Sequence, residues 1–314
     1  MLTRRHIRVK VMQGIYALQH SKDSNLKDQE LFLQKSMANM FTLYTSLLAL
    51  LLELKAMAEN QLEVSSKKYI KETTTNFKNP SKFADNAVLK LLSEDSFLLE
   101  TIESKKLKIW YLNPEYVKIL FKEITTSEVY KIYMESEEIS FDADRDFIVE
   151  VFKNIIAPND KLYEFLEDDQ LTWIDDLPIV NTFLLKKLKK LTDYSTESLL
   201  PALKVDKEDL DFGLNLLRKC SLKSEELIQQ YVDKTANWDK ERIADLDAIL
   251  LQMAICEFMN FPSIPVRVSL NEYLEIAKEY SSPKSSIFIN GILDTVSNEL
   301  KESGKLKKSG RGLL

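Results

Sequence analysis

The stretch Trp238–Met259, WDKERIADLDAILLQMAICEFM, decides the fold class. Its apolar residues Ile243, Leu246, Ile249, Leu250, Met253, Ala254 and Phe258 recur at three- and four-residue intervals, the period of an amphipathic helix. Pro262 and Pro265 then break the pattern and force an extended connector. Ser269 followed by Glu272 has capping-box spacing and predicts a helix over Leu270–Tyr280. Ser282 and Pro283 offer an N-cap and a first-turn proline for a last helix. In that helix Phe288, Ile292, Val296 and Leu300 form one stripe, with Ile289 and Leu293 beside it. Gly291 sits in its interior, where glycine costs about 1 kcal/mol relative to alanine. Such a glycine predicts a close helix approach or a backbone that must be reached.

The rest of the chain extends this reading. With only 6 Gly and 8 Pro in 314 residues, long helices with short connections are favoured over a turn-dense β architecture. The expected class is all-α. The longest apolar stretch, Phe41 to Leu52, is interrupted by Thr42, Thr45 and Ser46 and closed by Glu53 and Lys55. It reads as a core helix too short and too polar to span a bilayer. No apolar signal-peptide run follows the basic N-terminus. Cys220 and Cys256 both sit in helical patterns, which suits reduced thiols in a cytoplasm rather than a disulfide framework.

The formal net charge of −6 hides an uneven distribution. Arg4, Arg5, Arg8, Lys10 and Lys22 precede the first acid, Asp23. The last residues hold Lys301, Lys305, Lys307, Lys308 and Arg311 against Glu302, whereas the middle is acidic around Glu135–Glu138 and Glu167–Asp169. A local basic patch attracts phosphate even on an acidic protein, although solvated chain ends explain the same residues. Catalysis finds little support. His6 and His20 are the only histidines, and the glycines assemble no phosphate loop or dinucleotide fingerprint. Asp142, Asp144 and Asp146 have the spacing of calcium-loop ligands, but Phe147 stands at the glycine position and Lys153 at the bidentate glutamate position. A solvated helix start accounts for them better. No metal, cofactor or enzymatic reaction is expected.

The segment Thr3–Gln19 reads as one amphipathic helix with Ile7, Val11, Ile15 and Leu18 on its apolar face. Arg8, Met12 and Tyr16 follow at four-residue steps on a neighbouring stripe, with Arg5 close by. Cations beside an aromatic suit single-stranded RNA, where phosphates need charge and bases stack. Met12 and Tyr16 completing the core is the simpler explanation of periodicity alone.

Spread motifs across both ends carry a family resemblance. Asn237-Trp238-Asp239, Glu241-Arg242-Ile243, Asp247, Ala254 and Glu257 resemble a central helix of the NusB family. Ile264-Pro265-Val266, Leu270-Asn271-Glu272 and Glu275-Ile276-Ala277-Lys278 continue the likeness, and Ser285 with Phe288-Ile289-Asn290-Gly291-Ile292-Leu293-Asp294 resembles the family's terminal helix. Arg4-Arg5-His6-Ile7-Arg8, with Gln13, Ile15 and Tyr16, is similar to its arginine-rich first helix. The implied organisation is a first helix over 1–20, a helical insertion over 21–204, a C-terminal helical subdomain over 205–300 and a basic flexible tail over 301–314. Within the insertion, punctuated by Pro80, Pro114, Pro158 and Pro178, the segment 146–185 reads as a degenerate repeat. Asp146-Phe147, Leu162 and Trp173 recur 65 residues on as Asp211-Phe212, Leu227 and Trp238. Coincidence between two amphipathic stretches is the rival explanation.

The resemblance implies transcription antitermination: binding of single-stranded boxA-type RNA together with the ribosomal protein NusE, within an RNA polymerase complex and away from membranes. It places Arg4, Arg5, Arg8, Tyr16, Tyr280, Lys284 and Phe288 on the RNA surface and Asp247 against the protein partner. Lys284 replaces an acid common in relatives, while Ala248 and Gln252 stand where basic residues are usual. Replacing Arg5 and Arg8 by Ala is expected to weaken RNA binding without unfolding the protein. A helical scaffold without RNA binding is the alternative. An RNA-modifying enzyme with a related domain would need a cofactor-binding α/β domain and a nucleophilic cysteine motif, which nothing after Leu300 provides.

Overall fold

The computed structural model describes residues 3–67, 77–195, 198–200, 206–235 and 244–313, and these residues are helical without strands. In chain order the helices are α1 (Arg4–His20), α2 (Leu26–Lys67), α3 (Ala87–Glu94), α4 (Ser96–Ser104) and α5 (Ile109–Leu112). There follow α6 (Pro114–Thr126), α7 (Glu128–Glu135), α8 (Phe141–Val151), α9 (Asp160–Asp169) and α10 (Leu177–Leu188). The last are α11 (Lys207–Leu222), α12 (Ser224–Gln229), α13 (Asp245–Asn260), α14 (Val266–Tyr280) and α15 (Ser285–Glu302). The chain divides into two compact units, a terminal unit of residues 2–38 and 204–314 and a central unit of residues 39–203. Residues 21–38 therefore belong with α1 rather than with the inserted sequence.

In the terminal unit α13 is the central element, buried from Ile249 to Phe258, and alongside it runs α1. Thr3 caps α1 by accepting the His6 amide through its side chain, the expected use of a threonine at this position. Ile7, Val11, Met12 and Ile15 are buried with Phe212, Leu216 and Leu217 of α11 and Ile249, Leu250 and Met253 of α13. Helices α1 and α13 run antiparallel in matched register, since Arg8 meets Glu257 and, twelve residues on, His20 meets Asp245 twelve residues back. A Cβ on Gly213 of α11 would lie 2.8 Å from Ile7 Cγ2, so this glycine permits the close approach of α11 to α1. Gly291, by contrast, has nothing within 4 Å of an added Cβ and lies on an exposed surface. Its sequence context does not mark a helix contact.

Three helix starts differ from the sequence reading, the first being that of α13, which begins at Asp245 after a non-helical Ala244 (φ −59°, ψ 141°) rather than at Trp238. Helix α14 begins at Val266 after Pro265, four residues before the expected start. Ser269 is therefore inside the helix and buried, and its hydroxyl donates to Glu257 instead of capping. The extended geometry of Pro265 (φ −60°, ψ 143°) is already a competent helix entry, so the capping-box serine is not needed for one. Helix α15 begins at Ser285, with Ser282–Lys284 forming a preceding turn whose Ser282 carbonyl accepts the Ser285 amide. The residues after α15 are packed rather than loose. Leu306 lies on the core, Lys308 donates to the Glu257 and Phe261 carbonyls, and the Ser309 amide donates to the Pro262 carbonyl.

The central unit is organised by the second part of α2. Leu43, Leu47, Leu48, Leu50, Leu51 and Leu54 are at most 2% exposed. The helix is apolar enough over a long enough window to cross a membrane by length and composition, more so than the sequence reading allowed, but 72% of that window is buried in the fold. Polar groups at two of the interruptions are paired within the unit. Thr45 Oγ1 donates to the Phe41 carbonyl, and the Ser46 carbonyl accepts Trp110 Nε1 at 2.7 Å. Pro114 and Pro178 open α6 and α10 within their first turns. Asp144 is not simply solvated at the start of α8, because its carboxylate accepts the Ala87 amide and the Tyr133 hydroxyl. Asp142 and Asp146 bracket Arg145.

The segment 146–185 shows the succession α8, a π-helical turn at Phe152–Ile156, α9, a 3-10 turn at Leu171–Trp173 and α10. From Asp211 the succession is α11, α12, a 3-10 turn at Val232–Thr235 and α13. Phe147 and Phe212 are 4% and 6% exposed, and Leu162 and Leu227 are 4% and 0%. Trp238, the expected counterpart of buried Trp173, lies outside the described residues, as does the rest of 236–243.

Candidate nucleic-acid interface

The arginine-rich start of α1 is not an open basic surface. Arg8 is 2% exposed and its guanidinium donates to both oxygens of Glu257, at 2.7 and 2.9 Å. It also lies 5.2 Å from the Phe212 ring centroid and 5.6 Å from that of Tyr273. Burial opposes the charge on Arg8, but the Glu257 carboxylate outweighs burial and raises the guanidinium pKa above its ordinary value. Glu257 is completed by the Ser269 and Tyr273 hydroxyls, at 2.6 and 2.7 Å. This buried cluster corrects the assignment of Arg8 to the RNA surface, because a guanidinium committed to an internal carboxylate cannot reach a phosphate.

The neighbouring cations are engaged as well. Lys10 is 3% exposed and donates to Ser36 Oγ of α2 at 2.7 Å. Arg4 pairs with Glu208 and Asp209 at the start of α11. Arg5 makes a two-pronged contact with Glu272, at 2.9 and 3.0 Å, and this hydrogen bonding raises its pKa, with Glu275 and Glu279 adding to the effect. Arg4 and Arg5 keep about two-fifths of their side-chain surface exposed, but Arg5 faces an acidic stripe of α14.

The other end of α1 is different. Tyr16, 41% exposed, stacks on His20 with ring centroids 4.0 Å apart and planes at 14°. His20 Nδ1 faces the Tyr16 carbonyl at 3.0 Å, and Nε2 faces Asp245 at 2.9 Å. With an acceptor at each nitrogen the imidazole is favoured as a double donor, so the Tyr16 carbonyl first and Asp245 second raise the His20 pKa. Two residues along α13, Asp247 accepts the hydroxyls of Ser281 and Ser285, at 2.6 and 2.7 Å. At 5% exposure Asp247 holds the α14–α15 turn and offers no face to a partner, which corrects its expected role. That turn carries the exposed Lys284, with Tyr280 and Phe288 on its flanks, both partly buried on the core.

The first turn of α13 thus ties two surface elements together: Asp245 secures the Tyr16–His20 stack and Asp247 secures the Lys284 turn. Of the seven residues expected on one surface, Tyr16 belongs to the first of these elements and Lys284, flanked by Tyr280 and Phe288, to the second. Arg4 and Arg5 stand eleven or twelve helical residues from Tyr16, roughly 17 Å along the axis. His20 was set aside in the sequence as one of two scattered histidines. Its i, i+4 relation to Tyr16 is the signal that marks it. Gln252, one of the departures from the family pattern, is buried and accepts from Ser224.

Comparison with known proteins gives a consistent match. The chain matches the NusB family over residues 176–298, a span that starts at α10, earlier than the expected 205, and leaves out α1. It is similar to the transcription antitermination protein NusB of Salinibacter ruber, 42% identical over 110 residues, which is 35% of this chain and 68% of that protein. The protein of the same name from Koribacter versatilis is 42% identical over 104 residues, 33% of this chain and 70% of the relative. That of Chloroherpeton thalassium is 49% identical over 88 residues, 28% of this chain and 42% of the relative. No solved structure matches the chain.

Proposed function

Because the chain belongs to the NusB family, we propose that it is a cytoplasmic transcription antitermination factor, a non-enzymatic adaptor for single-stranded RNA. The terminal unit binds a boxA-type element of the nascent transcript together with the ribosomal protein NusE, and the complex acts on RNA polymerase. The observation that supports the RNA reading is the pair of exposed elements anchored on the first turn of α13, the Tyr16–His20 stack held by Asp245 and the Lys284 turn held by Asp247. A flat aromatic pair accepts an unstacked base, while Lys284 and a protonated His20 supply charge for adjacent phosphates. Arg4 and Arg5 contribute by exchanging their carboxylate partners for phosphate, which makes them weaker contributors than their number suggests.

The adaptor role needs no bond chemistry. Affinity comes from cations, stacking and a joint surface with the partner protein. A gel-shift with boxA-like RNA, with and without NusE, tests the proposal. The expected result is weak binding alone, tighter binding with the partner, and loss of at least tenfold in affinity for Tyr16→Ala combined with Lys284→Ala. Undiminished binding by that double variant overturns the surface. Absence of RNA binding under both conditions leaves the scaffold reading, which the neutralised arginines at the start of α1 favour.

A further inference from the structure

The central unit holds a basic cluster that the terminal-unit reading does not use. Helix α10 ends in the run Leu184-Leu185-Lys186-Lys187-Leu188-Lys189-Lys190, in which Leu184 and Leu188 are fully buried and the lysines turn outward. Among the described residues none of these four lysines makes an ion pair with an acid. Lys186, Lys187 and Lys190 line a cavity of about 540 Å³ together with Phe183, Leu191, Thr192, Tyr194, Ser195, Ser198 and Leu199. Cations near a helix C-terminus complement its dipole, and that accounts for lysines in the last turn. It does not account for a concave site lined by hydroxyls, nor for Tyr194, which is 86% exposed at its rim.

Asp193 lies between Thr192 and Tyr194 in the chain, and three other acids close to the site are committed elsewhere. Asp95 accepts the Ser198 hydroxyl at 2.5 Å. Asp142 and Asp146 are taken by Arg145, which also reaches the Leu191 carbonyl. Lys187 lies 5.9 Å from the Phe183 ring. Lys186 lies in the last turn of α10 and Lys190 two residues past its end, and because both line the cavity they can serve neighbouring phosphates. An exposed tyrosine beside these cations offers a base a stacking face, the combination used by sequence-tolerant single-strand binders. An acidic peptide would satisfy the lysines but has no use for the aromatic rim.

We propose that this cavity in the central unit is a second single-stranded RNA site, with Lys186, Lys187 and Lys190 on phosphates and Tyr194 against a base. The test uses the full chain and a fluorescent oligouridylate carrying photo-reactive thiouridines, titrated across a salt series. Tyr16→Ala with Lys284→Ala serves as background, so that failure of the terminal-unit surface is read separately. Adding Lys186→Ala and Lys190→Ala should reduce the slope of log affinity against log salt by about 1.4, at about 0.7 for each phosphate no longer neutralised. Tyr194→Ala should weaken binding about tenfold with the slope unchanged, since a stacked base carries no counterion release. In the background protein, crosslinks should map to the peptide containing Tyr194. The lysines are surface residues, and an unchanged circular dichroism spectrum establishes that the variants fold. An unaltered slope together with absent crosslinks overturns the proposal. So does a polyglutamate peptide that binds through these lysines while oligouridylate does not, which would make the site a protein-docking patch.

Discussion

Replacing Arg8 by Met separates a structural arginine from a nucleic-acid ligand. The substitution keeps an unbranched apolar stem and removes the guanidinium, leaving the fully buried Glu257 with only the Ser269 and Tyr273 hydroxyls. Removing one partner of a buried pair costs about 3–5 kcal/mol, because the remaining charge stays desolvated. Loss of the cation–ring attraction to Phe212 and Tyr273 adds to this. In a unit of this size such a destabilisation corresponds to roughly 10–15 °C in Tm. The two units need not unfold together, so the measurement is hydrogen exchange in α1 and α13 alongside urea unfolding followed by circular dichroism. Arg8→Met combined with Glu257→Leu should recover part of the loss, short by about 1 kcal/mol for each hydroxyl left without its acceptor. The opposite outcome is a loss of less than about 1 kcal/mol for Arg8→Met, well under the buried-pair range, with a sharp fall in RNA affinity. Arg8 would then be a ligand after all.

Other consequences follow from the same structure. Asp245→Asn should lower the His20 pKa, read directly by NMR titration of the imidazole. RNA affinity at the Tyr16–His20 stack should fall as pH rises through the raised His20 value, because charge is held only below it. Lys308, pushed down to about 8 by burial, is neutral in the folded protein but charged when unfolded between about pH 8 and 10.5. The unfolded chain then binds the extra proton, so wild-type stability relative to Lys308→Gln should rise with pH through that window in paired thermal melts. Gly213→Ala pushes a methyl to 2.8 Å from Ile7 and should destabilise by about 1–2 kcal/mol despite better helix propensity. Gly291→Ala, facing open space, should stabilise by about 1 kcal/mol in the same unfolding assay.

Much of the fold is local and was therefore legible. The three- and four-residue spacing of Ile7, Val11 and Ile15, and of Phe288, Ile292 and Val296, follows from the turn of a helix that must bury one face. Low glycine and proline content argued for helices, and spread motifs tied both chain ends to one family. Which polar side chains face outward was not legible. Arg8, Met12 and Tyr16 occupy one stripe, yet the first two are buried and only Tyr16 emerges. That difference depends on Glu257, 249 residues away along the chain, whose carboxylate makes burying a guanidinium tolerable. Asp247 and Ser269 changed meaning for the same reason, one through hydroxyls on a distant turn and the other through the same Glu257. Periodicity reports how far a residue lies from the apolar face, and that is enough to read the helices and their buried stripes from the chain. Whether a charge beside that face meets water or an opposite charge is set by chain segments far away in sequence, which come together only in the assembled fold.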